Sequence, residues 1–157
     1  MAEELIVTLH VVLPIVVGIV IGIIEAYFVY EDENMTSGRD FLGDMWHGLV
    51  FSVIGVLVAT NIPYIMVNFI PESMWGFLMV NELTGISLVA CIAVTLFMLV
   101  KMVASHAIKG VRGGGFTEKF WHKLAVALLV GFSPYYVLTI LEPMLLPIAE
   151  MVPWLPF

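Results

Sequence analysis

The sequence predicts an all-α integral membrane protein with four transmembrane helices, built as a tandem, parallel repeat of a two-helix hairpin. Three observations predict this class: a high mean hydropathy, four long uncharged stretches and a recurring Trp-His motif. The mean hydropathy is +1.05, with 61% hydrophobic and only 12% charged residues, far from the composition of soluble domains. This balance excludes a soluble domain, and we expect no nucleic-acid partner.

The uncharged stretches define the predicted helices. Residues 5–24, 45–71, 83–100 and 124–141 contain no Asp, Glu, Lys or Arg. Each stretch approaches or exceeds the roughly 20 residues that cross about 30 Å of hydrocarbon. With their flanking residues they predict transmembrane helices at about 5–30, 45–70, 83–105 and 120–142. Too few polar residues remain for a second domain, so 1–157 is predicted to be a single membrane domain.

The first two predicted helices carry small residues at helical spacing. Gly18 and Gly22 lie four residues apart in the first helix, and the second contains Ser52, Gly55 and Ala59. Such faces let another helix approach closely. We therefore expect them to bind other membrane subunits or copies of this chain.

Prolines predict where three of the helices are interrupted. Pro14 predicts a kink in the first helix, and Pro63 and Pro134 predict breaks in the second and fourth, because proline removes a helical hydrogen bond. The third helix, 83–105, has no proline. The proline-rich tail 143–157 is expected to leave the fourth helix and lie along the membrane surface.

A nine-residue pattern links the two halves of the chain. Its members recur at a constant offset of 75: Phe41, Trp46, His47 and Leu49 match Phe116, Trp121, His122 and Leu124. A Pro-Tyr pair follows each copy. The pattern predicts repeat halves of about 1–75 and 76–157, with the second and fourth helices crossing in the same direction.

The two copies differ in the spacing between histidine and proline. Pro63 follows His47 by 16 residues, whereas Pro134 follows His122 by 12. Four residues are about one turn, so the second break is predicted to lie about 6 Å deeper.

The basic residues predict the orientation of the chain. All six Lys and Arg residues lie in two connections, 31–44 and 101–123. Loops rich in Lys and Arg stay in the cytoplasm, which predicts that both termini are outside. The sequon at Asn34 would need an outside loop, but six basic residues outweigh one short motif.

Four polar residues are predicted to form a seam between the second and fourth helices. On a helical wheel Asn61 lies near the face of His47, and Ser133 near that of His122. The seam would conduct a small ion or proton, or its histidines would hold a metal ion or haem with His106 as a third ligand. Alternatively, the Trp-His pairs anchor the helices at the membrane–water interface, and Asn61 and Ser133 form hydrogen bonds near the proline breaks.

Acidic residues give two further predictions. Glu25 is an acid within a predicted span, so it is a candidate proton carrier; a structural pair with Lys101 is the alternative. The acidic stretch 31–34 is interpreted as a loop that is solvated, docks a partner or pairs with the basic connection 101–123.

The leading functional hypothesis is a non-enzymatic membrane subunit, packing as a homo-oligomer or as an accessory chain of a larger complex. One alternative is a small oligomeric ion or solute channel or transporter, with its pathway between the second and fourth helices. Another is an electron-transfer anchor that binds haem or metal. No catalytic residue is identified, so we expect no enzyme activity of the chain on its own. We expect no cofactor, and haem or a metal ion is the alternative. The lipid bilayer is expected to be a partner.

Overall fold

The computed structural model describes residues 8–33, 41–111 and 119–151, with side chains except those of 33, 41–44, 105–111 and 148–151. All regular elements in these ranges are helical, apart from one isolated bridge between Val80 and Ser87. The all-α prediction is therefore confirmed for the described residues. In chain order the α-helices are α1 (Val12–Glu33), α2 (Phe41–Thr60), α3 (Ile62–Phe69), α4 (Leu88–Val111), α5 (Phe120–Gly131), α6 (Ser133–Tyr136) and α7 (Glu142–Met151). A short 3-10 helix, Glu72–Met74, follows α3, and a π-helical segment, Val137–Leu141, joins α6 to α7.

Among the described residues, one helix is long and apolar enough to cross a membrane by itself, namely α1 over Val12–Asp32. Two further candidates are pairs of helices that meet at a short break. The angle between α2 and α3 is 43°, and the angle between α5 and the helical stretch Ser133–Pro147 is 55°. Each pair counts as a span only if it crosses as a broken helix. The apolar part of α4, Leu88–Ala104, is shorter than a typical crossing. Within the described ranges, one to three helices are thus apolar enough to span a membrane.

Several predicted boundaries are wrong. Residues 8–11 are not helical, and α1 begins at Val12. Pro14 lies in the first turn of α1, where its missing N–H would have no helical partner, so it starts the helix instead of kinking it. At the other end α1 continues to Glu33, so the acidic residues 31–33 are helical and do not form a loop.

The third and fourth predicted helices also differ from the observed ones. Residues 83–87 form a turn, in which Gly85 has φ +69 and Ser87 Oγ accepts a hydrogen bond from the Ala90 N–H. That bond caps α4, which begins at Leu88. Downstream, the chain continues after Glu142 as α7 as far as Met151, so this part of the predicted surface tail is helical.

The small residues are used for packing within the chain. A Cβ atom on Gly18 would lie 2.5 Å from Val53 Cα, and one on Gly22 would lie 2.7 Å from Leu49 Cα. These contacts bring the backbones of α1 and α2 together. In the same way a Cβ on Gly55 would lie 2.6 Å from Val130 Cγ1, so α2 also packs closely on α5.

Helices α2 and α5 run in the same direction. Gly55 contacts Val130, and further along both helices Thr60 contacts Ser133. Trp46 and Trp121 consequently lie at one end of the bundle, the Trp end, and both are strongly exposed. Between the helices lies an apolar layer of buried side chains: Ile21, Val56, Met98, Met102, Val126, Ala127 and Val130.

The two broken helices are interrupted by the same local conformation. Asn61 has φ −92 and ψ 8, and Phe132 has φ −95 and ψ 11; each stands two residues before a proline. The contact between Thr60 and Ser133 brings the two breaks close together, and the predicted one-turn difference in their depth stays a prediction.

Candidate functional site

The two helix breaks meet at a buried polar contact. Thr60 Oγ1 and Ser133 Oγ lie 3.3 Å apart, and both residues are fully buried. Pro63 and Pro134 cannot donate a hydrogen bond to the carbonyl oxygens four residues earlier in each helix. The junction therefore combines two hydroxyls with backbone carbonyls that lose their usual helical partners, and oxygen atoms of this kind can coordinate a small cation.

Asn61 ties the start of α1 to the first break. Its side-chain oxygen accepts the His10 N–H at 2.8 Å, and its Nδ2 donates to the carbonyls of His10 at 2.7 Å and Leu57 at 2.8 Å. The His10 ring in turn lies 3.4 Å from Glu142 Oε1 at the start of α7. We call these residues, His10, Thr60, Asn61, Ser133 and Glu142, the break cluster.

A second polar group lies nearer the Trp end, around Glu25. This side chain is 7% exposed, and Ser52 Oγ donates a hydrogen bond of 2.9 Å to its Oε2. Gly48 leaves room for the carboxylate, because a Cβ there would lie only 2.8 Å from Glu25 Cδ. Lys101 of α4 is close enough to interact with the carboxylate electrostatically. We call Glu25, Gly48, Ser52 and Lys101 the Glu25 cluster.

The apolar layer separates the two clusters. Val56 lies between Ser52 and Thr60 along α2, and Val130 precedes Ser133 at the end of α5. Ser52 and Thr60 are eight residues apart, about 12 Å along a helix. The bundle thus contains two polar levels with the apolar layer between them.

A third polar contact, which we call the Asp32 clamp, joins the ends of α1 and α5. The Asp32 carboxylate accepts the Lys119 N–H at 3.0 Å, lies 3.1 Å from Lys119 Nζ and lies 2.8 Å from His122 Nδ1. The His122 ring stacks on Phe28 with 4.3 Å between ring centroids. Asp32 therefore caps the beginning of α5 from outside that helix.

The predicted seam is brought together only in part. Asn61 and Ser133 both belong to the break cluster. His47 is exposed and His122 is held in the Asp32 clamp, so the structure does not place either histidine beside Asn61 and Ser133, and the four-residue seam stays a prediction. His106 lies on α4, but its side chain is outside the described residues.

For the cofactor hypothesis, no group of three or more His, Cys, Asp or Glu side chains that could hold a metal ion occurs within the described part of the chain. The assignment of His47, His122 and His106 to a haem or metal ion stays a prediction.

Sequence patterns do not identify Thr60, His10 or Glu142, and they place Asp32 in a loop. For Asp32 a signal was present, because Glu25, Phe28 and Asp32 share one face of a helix at spacings of three and four residues. The expected pairing of the acidic stretch with the basic connection is confirmed for Asp32 and Lys119. For His10 and Glu142 no local pattern exists, since their partners are far away in sequence.

Comparison of the chain with family models, with curated proteins and with solved structures gives no match. Its function must therefore be inferred from the geometry of the polar clusters.

Proposed function

We propose that this chain is a multi-pass membrane protein that conducts a small cation along the junction of its two broken helices. The contact between Thr60 and Ser133 is the observation that carries the proposal, because it joins both breaks at a buried polar point. Helix breaks of this kind are tolerated inside a membrane only where protein or a water-filled cavity surrounds them. Carboxylates at both polar levels, Glu142 and Glu25, favour a cation over an anion.

The proposal includes four crossings, formed by α1, α2 with α3, α4, and α5 with the helices that follow. It also includes a tandem repeat, in which the hairpin of α1 and α2 corresponds to that of α4 and α5. Two features support the repeat: the parallel course of α2 and α5, and the matching conformations of Asn61 and Phe132. We further propose, from the distribution of Lys and Arg, that the Trp end faces the cytoplasm and both termini lie outside.

Reconstitution into liposomes tests the conduction. We expect Na⁺ or K⁺ indicators, or a pH indicator, to report flux with the purified chain and none in protein-free liposomes. Replacing Thr60→Val together with Ser133→Ala removes both hydroxyls at the junction and should lower the flux. Elution as a single species in detergent will show that the variant remains folded.

Asn61→Leu gives a sharper test with a matched control. Asn61 donates to the carbonyl four residues earlier, and so does the exposed Asn68, which donates to Tyr64 at 2.9 Å. Only Asn61 also binds His10 at the junction. We expect Asn61→Leu to lower the flux strongly and Asn68→Leu to leave it unchanged; equal effects, or none, would contradict the proposal.

A second candidate function is that of a non-enzymatic subunit, in a homo-oligomer or in a complex with other membrane chains. Exposed apolar side chains on α4 favour it, notably Leu96, Phe97 and Val100, since four helices alone enclose little space. The small residues that first suggested partners support it less, because Gly18, Gly22 and Gly55 pack inside the chain. Native mass measurement of the solubilised protein tests assembly, and a lone monomer that conducts would exclude it.

A further inference from the structure

We propose that the conducted cation is the proton, and that Glu25 takes it up and releases it during passage. This inference rests on the proposed conduction and names the ion and the residue that carries it. It depends on the surroundings of Glu25 and on the position of that residue relative to the apolar layer.

Ser52 can stabilise both protonation states of Glu25. A hydroxyl is a donor and an acceptor, so at 2.9 Å Ser52 Oγ can donate to the carboxylate or accept from the carboxylic acid. One geometry therefore serves the residue before and after it binds a proton. Lys101 supplies a positive charge that offsets the carboxylate, and the neutral acid needs no such partner.

The Glu25 cluster is also poor in ligands for a metal cation. Hard cations such as Ca²⁺ and Mg²⁺ take about six or more oxygen ligands. Among the described contacts, Glu25 brings its own carboxylate oxygens and one hydroxyl, that of Ser52. The backbone of Gly48 packs directly against the carboxyl group of Glu25, because a Cβ atom on Gly48 would lie 3.0 Å from each carboxylate oxygen. A proton needs no further ligands.

The charged groups on the neighbouring helices fit this role. On α4 the charged group is Lys101, whose Nζ also lies 3.5 Å from the centre of the Phe51 ring. On α5 there are the buried Lys123 and, at the end of the helix, His122 in contact with Asp32. On α2 Ser52 donates a hydrogen bond to Glu25, and His47 is an exposed titratable group near the start of the helix. The positive charge of Lys101 stabilises the carboxylate form of Glu25 inside the bundle.

The proton would cross in two stages. At the break cluster, His10 and Glu142 are partly exposed and Thr60 and Ser133 are buried, so exchange with water occurs on that side of the apolar layer. On the other side Glu25 binds the proton as the neutral acid and then releases it, becoming a carboxylate again. No electrons are transferred and no other bond changes. Water that enters the apolar layer transiently relays the proton between the two stages, and at other times the layer excludes ions.

Proteoliposomes with a pH indicator inside and an imposed membrane potential test the inference. We expect the wild type to acidify or alkalise the lumen according to the sign of the potential. Glu25→Gln keeps the shape and the hydrogen bond to Ser52 but cannot exchange a proton, so proton flux should fall to the level of protein-free liposomes. Glu82→Gln, a change of an exposed carboxylate, is the matched control and should conduct as the wild type does.

A second pair of variants covers the case in which Glu25→Gln fails to fold. Gly48→Ala displaces the carboxylate from its position against α2, and Ser52→Ala removes its hydrogen-bond partner, so both should slow proton flux. Gly76→Ala is the control, since a Cβ there meets nothing within 4 Å. Proton flux that is unchanged in all three Glu25-cluster variants would overturn the inference.

Parallel measurements with Na⁺ and K⁺ indicators separate the two proposals. Flux of Na⁺ or K⁺ without movement of protons would overturn the role of Glu25 and leave the proposed conduction standing. The absence of flux of any of the three ions would overturn both.

Discussion

Single polar residues are informative in this chain because a polar atom buried among apolar side chains needs a hydrogen-bond partner. Asn61 illustrates this, since its amide makes hydrogen bonds to both the N–H and the carbonyl of His10 and to the carbonyl of Leu57. Glu25 and Asp32 are likewise bonded to residues of other helices. The polar residues of α1 and α2 thus record which helices are neighbours.

At this scale we predict that Asp32→Ala destabilises the protein by about 1–3 kcal/mol, because it removes the cap of α5 and leaves His122 without its acceptor. The Asp32 side chain is 2% exposed, so water cannot easily replace it. Thermal unfolding in detergent micelles measures the change. Glu31→Ala, at the exposed neighbouring position, should shift stability by less than about 0.5 kcal/mol; a similar loss in both variants would show that the clamp is unimportant.

At the scale of helices, close packing depends on glycines that face a neighbouring backbone. Gly18 and Gly22 allow α1 to contact α2, and Gly131 allows the end of α5 to contact α4 beside Cys91 and Thr95. Dispersion and short-range contacts drive such packing in lipid, where helices gain no hydrophobic free energy from leaving water. Small-residue patterns therefore predict contact faces, although they do not say whether the partner belongs to the same chain.

Gly131→Ala tests this close packing. A Cβ atom would lie 2.0 Å from Thr95 Oγ1 and 2.8 Å from the Cys91 carbonyl oxygen, so α4 and α5 must move apart. We expect a loss of about 1–3 kcal/mol from overpacking, even though alanine favours a helix over glycine by about 1 kcal/mol. Unfolding in micelles gives the value, with Gly76→Ala as the control in open space. A stabilised Gly131→Ala protein would show that the helices do not pack this closely.

At the scale of the whole molecule, the parallel course of α2 and α5 places both Trp-His pairs at one end and both breaks side by side. Trp46 and Trp121 are 63% and 72% exposed, as expected for side chains that sit at a membrane interface. The His-to-Pro spacings still differ by four residues. His122 contacts Phe28, which lies nearer the end of α1 than Glu25, the residue that Gly48 contacts, so the contacts at the Trp end do not compensate for this difference.

The proposed orientation predicts a labelling pattern. Cys91 is fully buried, so a cysteine introduced at a chosen site will dominate the reaction with a membrane-impermeant maleimide. Ser73→Cys lies in an exposed turn between α3 and α4 and should react in intact cells. Ser37→Cys, in the connection 31–44, should react only after the membrane is permeabilised. The opposite pattern would reverse the topology, and labelling of both in intact cells would exclude four crossings.

The sequence alone predicted the helical class and the two breaks at Pro63 and Pro134, and it named Glu25, Asn61 and Ser133 as candidate polar residues. These features follow from local chemistry, since apolar length, a missing N–H and a polar atom in hydrocarbon each act on the chain where they occur. The tertiary structure decided the rest: that Thr60 meets Ser133, that His10 binds Asn61, and that His122 binds Asp32. Those pairs lie 51 to 90 residues apart, and their meeting depends on how the glycine faces set the register between helices, which no local pattern specifies.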